Sequence, residues 1–405
     1  MTEQQTTSKR SVASAVKVRV DRLFRVQSVD FYLLLGVTGL LLVIGLIMGI
    51  SASTGRSYGN TGGFVLTIVR QIAFVVGALI VLVVSSLAPV RFWKRIAWPM
   101  LGFALLLQLL VFTPLGEEID GNRAWITIGD SFSLQPAELV KVALAVWIGA
   151  VLAAKQPLIG QFRHVLIPVV PVAALALGLV LAGHDLGTVI VMTFVVFGCL
   201  IFAGVKVRHL LIPVVLGGIV AAYFVMTSPN RLNRISTFLQ EGCSDYTNLC
   251  FQPLHGTWAL ASGGVFGLGL GNSREKYWLP AIHNDYIFAL IGEELGLIGA
   301  VAVLLLFGLL AVVFMRIITR SSDPFVRIVT GGVSVWLLSQ AAVNIAVVLG
   351  LLPVLGVPLP LLSSGGTALL TTALAIGIVL SFTRERSTPD HDTITVTSTT
   401  RKATE

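Results

Sequence analysis

The sequence predicts an all-α polytopic membrane protein of about ten transmembrane helices, with a large extracytoplasmic loop between spans seven and eight. The chain of 405 residues is 55% hydrophobic and only 12% charged, whereas soluble domains carry roughly a quarter charged residues. Apolar runs of about 20 residues recur along it, each long enough to cross a hydrocarbon core of about 30 Å as a helix. These runs lack the alternating pattern of membrane barrel strands, so the prediction is helical.

The apolar runs define the predicted spans and the organisation of the chain. In order, the spans are 31–50, 65–87, 96–113, 136–154, 165–182, 187–203, 208–226, 284–315, 325–352 and 364–382. A basic N-terminal tail over 1–30 precedes a membrane domain over 31–382, which contains the loop 227–283, and a tail over 383–405 follows. No cleavable signal peptide is visible, because about thirty polar and basic residues precede the first span.

Positive charges predict the orientation of the chain. Lys and Arg cluster in the N-terminal tail, in alternate loops and after the last span, at Arg91, Lys94, Arg95, Lys155, Arg163, Lys206, Arg208, Arg316, Arg320, Arg327, Arg384 and Arg386. By the positive-inside rule these loops and both termini are cytoplasmic, and the loops between them face outward. This topology accounts for the formal net charge of +8 without nucleic-acid binding.

Three carboxylates lie around the start of the eighth span, where charge is costly unless it is paired, wet or functional. If the helix runs continuously, Asp285 lies about 12 Å from Glu293 along the axis, and Glu294 points the opposite way from Asp285. They therefore do not form the facing pair of a glycosidase. Asp285 would act as a lone base on a substrate with a good leaving group such as a diphosphate. The alternative is that Asp285 caps the helix.

Basic residues on the outward side predict an anionic ligand. Glu138 and Lys141 stand at i and i+3 at the start of the fourth span, so they form either an internal salt bridge or part of a phosphate site with Arg123. The long outward loop adds Arg231, Arg234, Arg274 and Lys276, which topology does not require there. His184 and Asp185 occupy a short outward turn and are interpreted as a turn cap, since one His and one carboxylate are too few for a metal site.

Glycine, proline and cysteine mark irregular segments. The glycines of 263–271 lack a preceding strand and the G-x-G-x-x-G spacing, so they predict tight turns or close approach to a bulky ligand instead of a dinucleotide site. The Gly- and Pro-rich segment 350–366 predicts broken backbone that lines a cavity, in an enzyme or a carrier, and Ser339, Gln340 and Asn344 would line it too or pack between helices. Cys199 is expected in the core, and Cys243 and Cys250 form a local disulfide or remain free.

Several motifs resemble the SEDS family of bacterial cell-wall synthesis. They are GNRAWITIG with FSLQPAELVK, then NRLNRISTFL, then ASGGVFGLGLGNSREKYWLPAIHNDYIFALIGEELGLIG, and finally GLLPVLGVPLPLLSSGG. They occur in the family's order and resemble its FtsW branch more than its RodA branch. The resemblance implies a peptidoglycan glycosyltransferase that polymerises lipid II at the outer face of the cytoplasmic membrane during septal synthesis.

The resemblance also assigns roles to residues. Asp285 matches the family's essential Asp and is implied to be the catalytic base. Candidates for diphosphate or sugar contacts are Arg123, Lys141, Lys276, Arg231 and Arg234, and structural or supporting roles fall to Glu138, Glu293 and Glu294. A divalent cation, Mg²⁺ or Mn²⁺, would suit a diphosphate, although the sequence shows no ligand set. Two positions depart from the usual pattern, since His184 stands where Pro is common and Ser364 stands where Tyr is usual.

The implied partners are lipid II, the growing glycan strand, a class B penicillin-binding protein and other divisome proteins. The implied location is the bacterial cytoplasmic membrane at the division septum. Two other functions compete with this one. A flippase or transporter of the lipid-linked precursor would need polar residues through the membrane interior, and a non-catalytic divisome scaffold would not depend on Asp285.

Overall fold

A bundle of long helices forms the protein in a computed structural model, which describes residues 27–56, 61–119, 121–128, 132–206, 229–239, 250–280 and 282–385 and isolated positions between 208 and 226. The helices are α1 (Val29–Arg56), α2 (Thr61–Ser86), α3 (Val90–Leu110), α4 (Pro136–Ala154), α5 (Phe162–Ala182), α6 (Leu186–Ala203), α7 (Pro229–Leu239), α8 (Phe251–Gly263), α9 (Ile287–Thr319), α10 (Pro324–Val348) and α11 (Gly366–Glu385). Short 3-10 helices cover Gln156–Leu158 and Glu275–Tyr277.

The described helices confirm the polytopic helical fold. Eight of them, α1, α2, α4, α5, α6, α9, α10 and α11, are long and apolar enough to cross a membrane. The span expected at 96–113 falls on α3, whose 21 residues would cover about 31 Å. Its first turns carry basic residues, and it is not among the eight. Most of the span expected at 208–226 lies outside the described residues.

Helices α4, α10 and α11 form the interior of the bundle, and α2 lies at its edge. Helix α10 packs against α4, α6 and α9, while α11 packs against α2. Pro136 and Pro324 open α4 and α10, because proline fits the first helical turn, where its missing N–H is not needed. Helix α2 exposes Leu66 and Val84, as expected of a lipid-facing surface.

The two ends of the bundle carry different charged residues. At one end, Asp30 at the start of α1 accepts hydrogen bonds from Arg316 Nε and Arg320 Nη1, both at 2.9 Å. Arg316 lies in the last turn of α9 and Arg320 just after it. The start of α1 and the end of α9, both predicted to be cytoplasmic, therefore lie at the same end of the bundle. Asp285 precedes the first turn of α9 and lies at the opposite end.

A small antiparallel sheet lies between α3 and α4. Strands β1 (Gly116–Ile119), β2 (Asn122–Ile128) and β3 (Phe132–Leu134) pair in the order β1-β2-β3. The sequence analysis predicted only helical spans and the loops between them, so it did not foresee these short strands between the third and fourth spans. The sheet joins the rest of the protein where the Arg123 N–H donates to the Gly183 carbonyl at 2.8 Å.

Helix α9 is kinked at Gly296, within the span 284–315 that the sequence predicts as a single membrane helix. Gly296 has φ +68° and ψ −165°, a conformation that is accessible essentially only to glycine. The segment 263–269 packs into the kink, and a Cβ on Gly267 would lie 2.2 Å from the Glu294 carbonyl oxygen. Gly263 and Gly267 therefore permit close approach to the backbone of α9. The positive φ of Gly264, Gly267 and Gly269 fits the predicted tight turns, and close approach to a bulky ligand stays a prediction.

Replacing Gly296 by alanine is expected to destabilise the protein by about 2 kcal/mol or more, because the backbone strain alone costs about 1–3 kcal/mol. The new Cβ would also lie 2.4 Å from Gly267 N and from Val265 O. Thermal unfolding in detergent measures the effect. Gly308→Ala in the same helix is the matched control, since its Cβ would meet nothing within 4 Å. Equal unfolding temperatures for the two variants would contradict the role assigned to the kink.

Candidate active site

The turn that carries Asp285 is held through three consecutive carbonyls. The Ser364 N–H donates to His283 O at 2.9 Å, Ser363 Oγ donates to Asn284 O at 2.6 Å, and Asn344 Nδ2 donates to Asp285 O at 2.8 Å. The donors come from α10 and from the non-helical segment before α11. This arrangement fixes the backbone of the turn before substrate arrives, as a catalytic group requires.

Two buried amides on α10 hold the segment 350–366 against the same turn. Asn344 Nδ2 also donates to Val357 O at 2.8 Å, and Gln340 Nε2 donates to Pro358 O at 2.8 Å. The segment is non-helical and contains Gly356 at φ +67°, which confirms the predicted break in the backbone. Carbonyls that the non-helical backbone leaves without main-chain partners accept hydrogen bonds from Asn344 and Gln340. This pairing explains how the two polar side chains are tolerated within α10.

The Asp285 carboxylate is not a helix cap, so that alternative is wrong. Helix α9 begins at Ile287, its N-cap is Tyr286, and no side chain bonds to the free N–H groups of its first turn. The continuous helix assumed through Asp285 is also wrong. No described residue donates a hydrogen bond to this carboxylate, and its Oδ2 would lie 3.8 Å from a Cβ placed on Gly356. Within the described residues, this carboxylate therefore has no hydrogen-bonded structural role, and its interactions with Arg234 and Asp185 are electrostatic.

Burial raises the pKa of the Asp285 carboxyl to about 6, the Arg234 guanidinium lowers it, and the Asp185 carboxylate raises it. The ordinary pKa of an aspartate is about 3.9. A base with a pKa closer to neutral is better suited to accept a proton from a hydroxyl at physiological pH. The shift therefore fits the proposed chemistry better than it fits a structural ion pair.

Arg234 and Asp185 flank this carboxyl from two other elements. Arg234, on α7, is exposed and donates to Val354 O at 3.4 Å. Asp185 caps α6 by accepting from the Thr188 N–H at 2.9 Å, and its other oxygen accepts from Gln135 Nε2 at 2.9 Å. The predicted cap at this turn is confirmed. The side chain of Arg231, on the same helix as Arg234, lies outside the described residues.

Arg123 adjoins the site through the backbone of the 183–185 turn. Its guanidinium donates to Thr113 O at 2.9 Å, and its N–H binds Gly183 O. The side chain is half-buried. A substrate contact for Arg123 stays a prediction.

Glu138 and Lys141 form a buried ion pair, which is the structural one of the two predicted alternatives. Lys141 Nζ lies 2.8 Å from Glu138 Oε1 and 3.1 Å from Gln340 Oε1, and it sits 4.8 Å from the centre of the Trp336 ring. Thr371 Oγ1 donates to Glu138 Oε2 at 3.2 Å. Lys141 is only 1% exposed, so contact with a diphosphate would require it to leave these partners. The pair reaches the site through Gln340.

Lys276, Glu293 and Glu294 form a separate cluster beside the α9 kink. Glu293 accepts hydrogen bonds from Ser273 Oγ and from the Arg274 N–H at 2.7 Å. Lys276 Nζ lies 4.0 Å from Glu294 Oε1 and donates to Gly271 O at 2.5 Å. All three charged side chains are buried. The structural role expected of the two glutamates fits these contacts, and the substrate contact expected of Lys276 stays a prediction.

The cysteine and metal predictions have different outcomes. Cys199 is a free, buried thiol, as expected of a core residue. Cys250 is disulfide-bonded, and Cys243, the partner expected from the sequence, lies outside the described residues.

Within the described ranges, no three His, Cys, Asp or Glu side chains come together in a group that could hold a metal ion. The divalent cation expected with a diphosphate is therefore assigned no residues.

A family model described as cell cycle protein, that of FtsW, RodA and SpoVE, matches residues 31–388. The chain belongs to this family. It is 40% identical over 357 residues to a Mycobacterium tuberculosis protein named probable peptidoglycan glycosyltransferase FtsW, covering 88% of this chain and 68% of the relative. It is also 34% identical over 357 residues to stage V sporulation protein E of Bacillus subtilis, covering 87% of this chain and 96% of the relative.

Solved structures of the FtsW/RodA/SpoVE family share the fold. A chain from a structure described as a peptidoglycan synthase complex that coordinates polymerization and crosslinking aligns with a TM-score of 0.71 and 25% identity, covering 90% of this chain and 99% of that one. The rod shape determining protein RodA of Thermus thermophilus aligns with a TM-score of 0.66 and 26% identity, covering 90% and 98%. The resemblance inferred from the motifs is thus confirmed.

The site also uses residues whose roles the sequence did not indicate. Gln340 and Asn344 were expected only to line a cavity or pack between helices, and their bonds to main-chain carbonyls were not foreseen. Ser363 and Gln135 were not singled out at all. The available signal was that amides within apolar spans are costly unless they are satisfied, so each one marks backbone that needs a donor.

The pH dependence of the reaction should follow the Asp285 carboxyl. A general base must be deprotonated to accept a proton, so a catalytic role for Asp285 predicts that kcat/KM falls about tenfold per pH unit below the pKa of about 6 and levels off above it. Arg234→Gln should move the midpoint of this limb to higher pH, and Asp185→Asn should move it to lower pH. Initial rates of polymerisation across the pH range test this, and a flat acid limb would contradict it.

Proposed function

We propose that this chain is a peptidoglycan glycosyltransferase that polymerises lipid II, with Asp285 as its general base. The single observation that carries the proposal is the state of this carboxylate. It lies in a turn held at three consecutive carbonyls, it caps no helix, and it has a pKa raised to about 6. The names and the family of its relatives support the reaction class.

The reaction needs one proton transfer and one displacement. Asp285 takes the proton from a sugar hydroxyl of the acceptor, and the resulting oxygen attacks the anomeric carbon of the donor as the bond to undecaprenyl diphosphate breaks. Attack from the opposite face inverts the configuration. The diphosphate leaves as a stabilised anion, so a second carboxylic acid is not required to protonate it, unlike in glycoside hydrolysis.

Arginines around the turn are the proposed contacts for the diphosphate. Arg234 acts on the Asp285 carboxyl electrostatically and has an exposed guanidinium, which can bind phosphate oxygens in a fork geometry. Arg123 and Arg231 are proposed to assist from β2 and α7. Lys141 and Lys276 already have buried partners, so their proposed role is to hold the framework of the site.

The proposed setting is the outer face of the bacterial cytoplasmic membrane at the division septum, with both termini inside. A class B penicillin-binding protein is the proposed partner, together with other divisome proteins. Supporting this, one structural relative is described as a synthase complex that coordinates polymerization with crosslinking. The basic residues at the opposite end of the bundle from Asp285 support the orientation.

A carrier for the lipid-linked precursor is the second candidate, and the distribution of buried charge weighs against it. Among the described residues, the buried charged side chains are Asp30, Glu138, Lys141, Lys276, Glu293 and Glu294. Asp30 lies at one end of the bundle and the others near the Asp285 end, so no described buried charge occupies the middle. A transport path driven by ions or protons would place ionisable groups there.

Polymerisation of purified lipid II tests the proposed activity. The full chain is reconstituted with a class B penicillin-binding protein that has no glycosyltransferase activity of its own, and the glycan product is resolved on a gel. Polymer is expected only when the chain is present. No polymer from folded protein, under conditions in which another family member is active, would overturn the proposal and favour the scaffold function.

A further inference from the structure

The segment before α9 exposes large apolar side chains at the Asp285 end of the bundle. Val265, Phe266, Leu270, Tyr277 and Trp278 are each more than half exposed, with Phe266 at 82%. We call these five residues the apolar rim. A patch of exposed apolar side chains of this size marks a surface that contacts either lipid or another protein.

The apolar rim continues the lipid-facing surface of α9. The Leu297 N–H donates to Gly264 O at 2.9 Å, and the Ile298 N–H donates to Val265 O at 3.3 Å. Leu297 and Ile298 are themselves more than half exposed and begin the long apolar part of α9. Val265 and Phe266 therefore lie beside the first lipid-facing turn of a membrane helix.

The main-chain N–H groups of this segment form hydrogen bonds within the protein, as backbone inside a membrane must. The Leu268 N–H donates to Glu293 O at 2.9 Å, the Gly269 N–H donates to Glu294 O at 3.0 Å, and the Gly267 N–H donates to Gly263 O at 2.8 Å. The kink at Gly296 frees carbonyls and N–H groups of α9, and the segment supplies their partners. Non-helical backbone is tolerated in a membrane only when it is satisfied in this manner.

We propose that the apolar rim inserts into the lipid leaflet at the Asp285 end of the bundle. Phe266 and Val265 enter the acyl region, while Tyr277 and Trp278 lie at headgroup level, where these side chains are enriched. Arg274 is exposed on the same segment and is placed to meet anionic headgroups. The lipid is preferred to a protein partner as the occupant because the rim is continuous with the lipid-facing turn of α9.

Insertion would fix the segment that carries Lys276 at the membrane surface. Lys276 is buried against Glu294 of α9, and its neighbour Glu275 contacts His255 of α8. The lipid anchor and these contacts together would hold α8 and the start of α9 in one position. This inference does not depend on the reaction that the site performs.

A fluorescent label at position 266 tests the insertion. Phe266→Cys and Asn272→Cys are each labelled with an NBD maleimide in the full chain and reconstituted into nanodiscs with and without doxyl-labelled lipids. Asn272 is the matched control, since it is an exposed polar residue of the same segment. The unmodified chain corrects for labelling of the three native cysteines, of which Cys199 is buried and Cys250 is disulfide-bonded.

Insertion predicts that the label at 266 is quenched at least about threefold more by doxyl lipids than the label at 272, and correspondingly less by aqueous iodide. Equal iodide quenching at both positions would overturn the proposal. Protection of position 266 that arises only after a class B penicillin-binding protein is added would also overturn it, and would assign the rim to a protein interface.

Discussion

Replacing Asp285 by asparagine is expected to lower the rate of lipid II polymerisation by about 10²–10⁴-fold, the usual contribution of a positioned general base. The amide keeps the shape of the side chain but cannot accept the proton. The turn should keep its geometry, because its anchors bind main-chain carbonyls and not the carboxylate. The measurement is the initial rate of glycan formation by folded protein in the presence of a class B penicillin-binding protein, the proposed partner.

Two controls make the Asp285 result specific. Glu118→Gln makes the same carboxylate-to-amide change on an exposed residue of β1 and is expected to leave the rate unchanged. The residual activity of Asp285→Asn should also lose the acid limb near pH 6, since the titrating group is gone. A rate within about twofold of the wild type would reject the base assignment, because it corresponds to only about 0.4 kcal/mol in the barrier.

Hydrophobic runs predicted the spans well because crossing a membrane imposes a minimum length and composition on each helix. They could not predict the kink in α9. The run from Leu295 onward is uninterrupted, and nothing local distinguishes Gly296 from Gly299 or Gly308. The kink exists because the segment 263–269, which comes earlier in the chain, pairs with the freed backbone groups, and such pairing is a tertiary effect.

The role of Asp285 shows a similar limit. Spacing favoured a helix cap and could not tell where α9 begins. The start at Ile287 depends on donors from Ser363, Ser364 and Asn344, which lie far along the chain. By contrast, the Glu138–Lys141 pair was foreseen as one of two alternatives, because an i, i+3 spacing places both side chains on one helix face.

These contacts give the family fold a division of labour between its elements. Helix α10 supplies the amides that bind main-chain carbonyls, and α4 supplies the ion pair that supports one of those amides. Helix α7 and the α5–α6 turn supply the charges that shift the pKa of Asp285, the proposed base. Loss of a supporting group should therefore affect stability before it affects the reaction. Loss of a tuning group should change the pH profile of a protein that still folds.

The buried Glu138–Lys141 pair provides the sharpest case of this distinction. Lys141→Met leaves the Glu138 carboxylate buried, with Thr371 as its one remaining partner among the described residues. Removing one member of a buried pair typically costs about 3–5 kcal/mol. The double variant Glu138→Gln with Lys141→Met removes both charges together and is expected to regain most of that stability. Thermal unfolding of the single and double variants in detergent measures the coupling between the two residues.

Activity of the double variant separates support from substrate binding. If Lys141 acts only through Glu138 and Gln340, folded double variant should polymerise lipid II at a rate within about tenfold of the wild type, equivalent to about 1.4 kcal/mol. If Lys141 binds the diphosphate, the double variant should be stable and yet far less active, since restoring neutrality does not restore a cation. Stability that returns without activity would thus move Lys141 from the framework to the substrate, and would require it to exchange Glu138 for phosphate when lipid II binds.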